Sequence, residues 1–468
     1  MSKSTRCRRS FASREHTLVD AQHQENVVQA TTFSDRDERK LARPSDIRPR
    51  FSDPRFCVRA LRWTVRFAIL GGATYLLFAG WLGDVRLATL PAGLSPYVVL
   101  CGLIVTGILP TIGWLALLVG CLFLFRLRWF CRWVCPLGTC NELSTITGKR
   151  VGLRAPRVFH IGHYLVFAAL GGALLGFPIL LWLDPLAILS SLGQPSLSAW
   201  QLVVGMSGFL TAIALSFFLP GIWCSRICPL GGLQEIGFVA RRRMVEFIAR
   251  LVSRRRQHEI ETKTALPAVS EVSNLGQIGR RGILAILAAG LWIYLSPRFS
   301  QAKTAPLRPP GAPLDDRQFL ALCVRCGNCI RACPTGIIQP QLAGGGLFTW
   351  LAPRLLFVTD FCEPSCHRCA DVCPSGALKR FLPEEKPHVI IGKAVVDLEL
   401  CLLTEERECG ICRGHCPYQA IRLQFSEETY SVQPMVDLAR CPGCGACEAI
   451  CPTTPQKAIR VVRIDLSL

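Results

Sequence analysis

Sixteen cysteines in the C-terminal part of this chain fall into four runs, and their spacing is that of thiolates gathered on metal–sulfide cubes. Cys323, Cys326, Cys329 and Cys333 follow the pattern C-x2-C-x2-C-x3-C-P, and Cys441, Cys444, Cys447 and Cys451 repeat it. Two looser versions lie between them: Cys362, Cys366, Cys369 and Cys373, with a first gap of three, and Cys401, Cys409, Cys412 and Cys416, with a first gap of seven. Two-residue gaps let one tight loop turn three sulfurs toward one [4Fe–4S] cube, while the fourth reaches a neighbouring cube. The Cys-Pro step closes each loop, because proline fixes its own φ and drives the residue before it out of the helical region. Four runs predict four cubes, the equipment for moving single electrons. Cys401, beyond the longest gap, is the least secure ligand.

Other cysteine chemistries fit less well. Structural zinc also uses Cys-x2-Cys pairs but has no use for a third knuckle or the proline. Two-residue gaps seldom suit disulfides. Cys362-x3-Cys366-His367 looks like a c-type haem attachment, yet that motif needs two residues between its cysteines. Cys7, Cys57, Cys101, Cys121 and Cys140 are left over and carry no signal.

The elements that must position these runs are read from composition. The chain has 468 residues, half of them hydrophobic, with a mean hydropathy of +0.33. A net charge of +20 would suit nucleic-acid binding, but its placement argues against that. Residues 1–66 carry a net +7, residues 126–160 and 225–281 each a net +6, and residues 298–468 are nearly balanced. The excess flanks apolar stretches at about 63–83, 97–125, 160–183 and 199–221, the positive-inside pattern of membrane proteins. The expectation is a membrane α-helical bundle of four helices as two repeats, with a fifth anchor helix, followed by an α+β four-cluster domain. The expected divisions are a disordered cytoplasmic tail (1–55), the membrane domain (56–240), a basic cytoplasmic linker (241–278), an anchor (279–297) that opens on Arg280-Arg281 in the manner of a twin-arginine export signal, a Pro-rich linker (298–314) and the four-cluster domain (315–468). A basic flank on an ordinary anchor is the other reading of Arg280-Arg281. Short extended stretches are expected before Cys401 and Cys441, and after Cys416-Pro417 and Cys451-Pro452.

The apolar half contains an internal repeat. Cys131-x3-Cys135-Pro136-Leu137-Gly138 returns 93 positions later as Cys224-x3-Cys228-Pro229-Leu230-Gly231. Each copy has only two thiolates, too few for a cube. If the halves pack about a pseudo-twofold axis, Cys131, Cys135, Cys224 and Cys228 converge and could hold a fifth cluster or another metal; structural cysteines or a soft-metal site such as copper are the alternatives. His160 and His163 share one helical face and could serve a quinone headgroup or its protons. Polar residues marking a helix start are the plainer reading. Bis-histidine haem is excluded, since no other apolar segment carries a histidine.

Residues of about 60–240, with two Cys-x3-Cys-Pro-Leu-Gly copies, resemble the NapH/MauN family of membrane ferredoxin-type proteins. Residues of about 278–468, with the arginine pair and four runs, resemble the NapG/MauM periplasmic ferredoxins. The chain looks like a fusion of the two. The resemblance implies a membrane-bound electron carrier of the quinol-dehydrogenase kind, working between the quinone pool and a periplasmic oxidoreductase or cytochrome, such as nitrate reductase for NapGH. It places the chain in the bacterial inner membrane as a multi-pass protein, N-terminus cytoplasmic and four-cluster domain periplasmic. One departure stands out: residues 232–278 lack the cytoplasmic cysteine runs usual in NapH. The alternative function is an accessory or maturation factor supplying electrons or metal to a partner oxidoreductase.

Overall fold

Proline and glycine start or stop several of the helices in the apolar half of the chain. The computed structural model describes residues 54–79, 87, 89–110, 112–123, 125–154, 160–178, 180–193, 199–257, 306–342, 349–404, 407–427 and 430–463. Its main helices are α1 (Pro54–Ala79), α2 (Pro96–Thr106), α3 (Gly113–Phe123), α4 (Pro136–Arg150), α5 (Ile161–Leu174), α6 (Ala199–Phe218) and α7 (Pro229–Gln257). Several starts are written locally. Ser95 caps α2 by accepting from Val98 N, and Pro96 sits where its missing N–H costs nothing. The α2 end falls at Gly107, whose φ of 67° is left-handed.

Two units divide the chain, Met1–Trp63 and Thr64–Leu468. In the first, the described residues begin α1, and the Arg62 guanidinium lies 5.9 Å from the centroid of the Trp63 ring. In the second, α4 packs on α6, α5 on α7, and α2 on both α3 and α5. The repeat is visible here: α4 and α7 each start at the proline of a Cys-x3-Cys-Pro copy. Buried Arg66 ties α1 to the start of α4. Its Nε donates to Thr139 Oγ1 at 3.2 Å, its Nη2 donates to Gly138 O at 2.9 Å, and Nη1 pairs with Glu142.

The expected membrane bundle is not found, and with it falls the multi-pass inner-membrane placement. Among the described residues no helix is long and apolar enough to cross a membrane. The run at 97–125 is broken between Gly107 and Ile112 into two helices of 11 residues each. The run at 160–183 stops as a helix after 14 residues, at Leu174. Helix α1 carries Arg59, Arg62 and Arg66. The arginine-pair segment 279–297 and residues 1–53 lie outside the described residues. The basic linker expected from 241 begins as helix, since α7 continues to Gln257.

The cysteine-rich part is built from turns, one-turn helices and three two-stranded antiparallel sheets. Strand β1 (Ile338–Pro340) pairs with β2 (Pro353–Leu355), β3 (Lys393–Val396) with β6 (Ile459–Val462), and β4 (Ile421–Ser426) with β5 (Ser431–Val436). Strands β3 to β6 occupy the extended stretches anticipated around the third and fourth runs. The first and last strands of that half, β3 and β6, pair in the register Lys393↔Val462, closing the chain around both runs. Residues 306–314, expected as linker, are part of this body. Leu355 N donates to Leu307 O at 2.9 Å, and Arg308 and Arg463 both grip Asp316, at 2.7 and 2.8 Å.

Candidate iron–sulfur centres

Each run takes the same local form. A loop carries the first cysteines, a one-turn helix carries the third, and in the first and fourth runs the last cysteine leaves that helix in extended backbone before proline. In the first run the helix Asn328–Ala332 follows Gly327 (φ 75°), and Cys333 has φ −75° and ψ 114°. In the fourth the helix Ala446–Ile450 follows Gly445 (φ 84°), and Cys451 has φ −57° and ψ 126°. Proline thus does what its sterics dictate, and the cysteine before it is turned away from its own run.

Where those last cysteines go fixes the pairing of the runs. One small hollow is lined by Cys323, Cys326, Cys329 and by Cys373, the last cysteine of the second run. A second is lined by Cys362, Cys366, Cys369 and by Cys333, the last of the first run. In the other half, the last cysteine of the third run, Cys416, stands with the fourth run. Burial pushes the Cys444 thiol up to about 11, with Cys416 and Cys441 adding to the rise, and pushes Cys447 up with Cys416 among its neighbours. Cys412 rises to about 11 by burial, then by Cys409 and Cys401, and Cys451 packs in one core with cysteines of both runs, Cys401, Cys412, Cys416, Cys441 and Cys447. Cys401 therefore sits with its run despite the long gap. The two pairs touch at Cys362, whose N–H donates to Cys444 O at 2.9 Å, and Tyr418 stands there within the fields of Cys444, Cys362 and Cys416.

The chemistry of these hollows fits anionic cubes. Thiols buried this deeply ionise only with a cation to receive them, and iron is one. Backbone and side-chain donors already point at sulfur: Ala420 N at 3.3 Å from Cys416 Sγ, and Lys386 Nζ at 3.1 Å from Cys362 Sγ. Among the described residues no group of three or more His, Cys, Asp or Glu is gathered where a single metal ion would sit. A cube spreads its thiolates over four irons, so they stand farther apart than four thiolates on one zinc.

The two Cys-x3-Cys-Pro copies come together. Burial pushes the thiol of Cys135 well up and the charges of Cys131 and Cys224 add to the rise; Cys228 is raised the same way, by burial and then Cys131. The Pro-Leu-Gly tail has a use in both copies. Gly138 N donates to Cys135 Sγ at 3.3 Å and Gly231 N to Cys228 Sγ at 3.5 Å. A Cβ on Gly138 would stand 2.8 Å from Cys131 O, and one on Gly231 3.1 Å from Cys224 O. Gln234 of α7 donates to Cys131 Sγ at 3.0 Å across the repeat. Its counterpart 93 positions earlier, Asn141, is buried with both amide atoms unpartnered.

His160 and His163 stand beside this site, their rings stacked with centroids 5.5 Å apart. His163 pairs with Glu235 at 2.7 Å, and His160 lies 2.9 Å from Arg226. Burial, then Arg226, holds the His160 imidazole below its ordinary value. Burial pushes Glu235 up, but His163 and Arg128 outweigh it and hold the carboxyl below its usual range.

Several residues near these centres were not anticipated. Arg331 and Asn328 of the first run reach into the helical part: Arg331 Nη1 donates to Ser190 O at 2.9 Å and Asn328 Nδ2 to Thr89 O at 3.2 Å. Arg325 lies 4.9 Å from the Trp182 ring. One core runs from Cys135 and Cys228 through Tyr97 and Cys101 to Val324 and Cys326. Comparing the two repeat copies would have singled out Asn141 and Gln234; nothing local marked Arg331 or Lys386.

Comparison with known proteins agrees with this geometry. Residues 322–378 and 407–454 each match a 4Fe-4S dicluster domain, and residues 106–154 and 201–256 each match a 4Fe-4S binding domain. The ferredoxin-type protein NapG of Escherichia coli K12 is 35% identical over 192 residues, 39% of this chain and 81% of that protein. The methylamine utilization ferredoxin-type protein MauM of Methylorubrum extorquens is 36% identical over 197 residues, 40% of this chain and 86% of that protein. The ferredoxin-type protein NapF of E. coli K12 is 33% identical over 162 residues, 34% and 88% of the two. No solved structure matches. Paired hollows rimmed by thiols, with dicluster-domain matches over both pairs, define an iron–sulfur electron-transfer protein that carries several [4Fe–4S] clusters. Within that class, the chain belongs to the NapG/MauM family of ferredoxin-type proteins.

Proposed function

We propose that this chain is a linear electron relay that takes electrons from quinol and delivers them to a periplasmic oxidoreductase or cytochrome. The observation that carries the proposal is the interleaving of the runs, continued from pair to pair by the Cys362–Cys444 hydrogen bond, which makes an unbroken series of sites. In this reading Cys323, Cys326, Cys329 and Cys373 hold the first cube; Cys362, Cys366, Cys369 and Cys333 the second; Cys441, Cys444, Cys447 and Cys416 the third; Cys401, Cys409, Cys412 and Cys451 the fourth. Cys131, Cys135, Cys224 and Cys228 hold a fifth, in the half that resembles NapH/MauN. When bound, the cubes supply one-electron redox chemistry. The chain's own residues bury them, aim donors at their sulfurs and set their order.

Two places favour the helical end as the entry. A cleft of about 1140 Å³, lined by Val105, Ile108, Phe381, His388 and Cys373 among others, opens beside the first cube's last ligand. It is mainly apolar with a few convergent polar groups, as small-molecule sites are. His160 and His163 are the second candidate, for a headgroup or for its protons beside the fifth site.

The test is quinol addition to anaerobically purified protein under EPR. We expect absorbance near 400 nm, about sixteen irons in the four-run region at four per cube, and cluster signals that grow on quinol addition. Full iron with signals unmoved by quinol would reject quinol as donor and favour an assembly factor for a partner oxidoreductase. Stoichiometric zinc with iron near zero would reject the cubes themselves.

A further inference from the structure

In the short 3-10 segment Pro383–His388, Lys386 is the buried residue, 1% exposed, while its five neighbours face solvent. The segment is fixed at its start by Leu382 N donating to Glu385 Oε2 at 2.9 Å and at its end by Val389 N donating to Lys386 O at 3.1 Å. Held this way, the lysine points inward. Its Nζ donates to Cys362 Sγ at 3.1 Å and to Cys366 O at 2.9 Å, and lies 5.2 Å from the centroid of the Phe381 ring. Two hydrogen bonds and a ring face occupy the ammonium's donors. Among the described ion pairs none joins Lys386 to a carboxylate. A buried ammonium needs a counter-charge, and the Cys362 sulfur of the second hollow is what it touches.

Among the described residues, the donors on the other run sulfurs are neutral. They include backbone N–H groups, of Ala420 on Cys416, Arg325 on Cys323, Asn328 on Cys326, Arg413 on Cys412 and Ala446 on Cys444, and the hydroxyls of Thr335, Ser375 and Thr453 beside Cys333, Cys373 and Cys451. Cations near those sites are described in contact with groups other than sulfur: Arg331 with Cys326 O at 3.4 Å, Lys393 with Cys441 O at 2.6 Å, and Arg325, whose charge acts on Cys323, with the Trp182 ring at 4.9 Å. Reduction adds one negative charge to a cube. A cation in contact with a ligand sulfur, in surroundings of low dielectric, favours the reduced form more than a neutral donor does.

We propose that Lys386 raises the reduction potential of the second cube above those of the other three in the four-run region, making it the site where an electron rests in the relay. The proposal depends on the assignment of Cys333, Cys362, Cys366 and Cys369 to one cube.

Redox-poised EPR on the full chain tests it with three lysine variants and one cysteine variant. Lys386→Gln keeps a donor without the charge, Lys386→Met removes both, and Lys386→Arg keeps both. In Lys386→Gln one midpoint of the four should fall, so that at fixed ambient potential that cube's reduced-to-oxidised ratio drops at least tenfold, about 59 mV for a one-electron couple. Lys386→Met should drop it as far or farther, and Lys386→Arg should restore it, with iron content unchanged throughout. Four unmoved midpoints, or four that move together, would overturn the proposal. If the uncharged variants lose iron, Cys366→Ser decides: the signal it abolishes must be the highest-potential one of the wild-type region, and loss of any other signal overturns the proposal. A Cys366→Ser chain that keeps all its iron would instead reject the cube assignment on which the proposal stands.

Discussion

Asp184 shows how much a single buried group can commit the fold to. It is fully buried, accepts from Ser95 Oγ at 2.7 Å through Oδ1, and through Oδ2 caps the turn beginning at Pro185 by accepting from Leu186 N and Ala187 N. Burial pushes its carboxyl up from 3.8 to about 6 in spite of those bonds. A folded value above the unfolded one means that the native chain holds more protons between these limits. The stability this group contributes is present in full below about pH 4 and is lost as pH rises through about 6. Asp184→Asn should flatten that dependence. Urea unfolding at pH 5 and pH 7 should show the wild type losing roughly 1 kcal/mol more than the variant across the interval; parallel losses would show the carboxyl to be ionised at both. At the same scale, Cys135→Ser or Cys228→Ser should remove about four irons per chain and leave the four-run region loaded. Iron unchanged in both variants would mean that the repeat cysteines are structural. Arg331 is a different case, a buried guanidinium holding Ser190 O and Asn328 Oδ1 together. Arg331→Met leaves both acceptors without their donor and should cost about 2–4 kcal/mol, read as a lower urea midpoint.

At the scale of elements, legibility follows how local the cause is. The runs were readable because their geometry is set within a dozen residues by cysteine spacing and by proline, and the strands flanking the third and fourth runs because short stretches with valine or isoleucine stand just before or after each run. The repeat was readable as 93-residue self-similarity, and the convergence of its two copies was the inference that symmetry allowed. The helices were misread because hydropathy averages over breaks: Gly107 and Pro110 stop α2 and separate it from α3 within a stretch that stays apolar on average. The contact of α2 with the first pair of runs was invisible for the same reason that tertiary contacts usually are. Gly102 supplies that contact through what it lacks, since a Cβ there would stand 2.4 Å from Ser375 O, two residues past Cys373. Gly102→Val should therefore force α2 off the second run at a cost of about 1–3 kcal/mol. Hydrogen exchange should quicken at 96–106 and at 372–378 while the iron of the four-run region is kept. Unchanged protection at both segments would mean that the contact is not held in solution.

At the scale of the molecule, the consequence of interleaving is directional. If the sites are a series, removing one in the middle divides the protein into a part still reached by the donor and a part cut off from it. Cys447 is the residue to use, because it is buried and the thiols nearest it are, in order, Cys444, Cys441 and Cys416, with Cys412 of the third run next. Cys447→Ser should cost the third cube, about four irons, and leave the second pair with its fourth cube alone. With donor entering from the helical end, stopped-flow reduction should still fill the first and second cubes at the wild-type rate, while reduction of the fourth slows at least a hundredfold. Entry from the opposite end gives the mirror result, fast reduction of the fourth and slow reduction of the first two. Equal rates at all remaining cubes would mean that each exchanges electrons with solution by itself, and the interleaved cysteines would then be a way of folding a small core rather than a path. Tyr418 separates these cases further, since it sits where the two pairs meet, with its hydroxyl buried and unpartnered. Tyr418→Phe keeps the ring and should leave the transfer rate intact, whereas Tyr418→Ala opens a gap between the second and third sites and should slow only the step that crosses it.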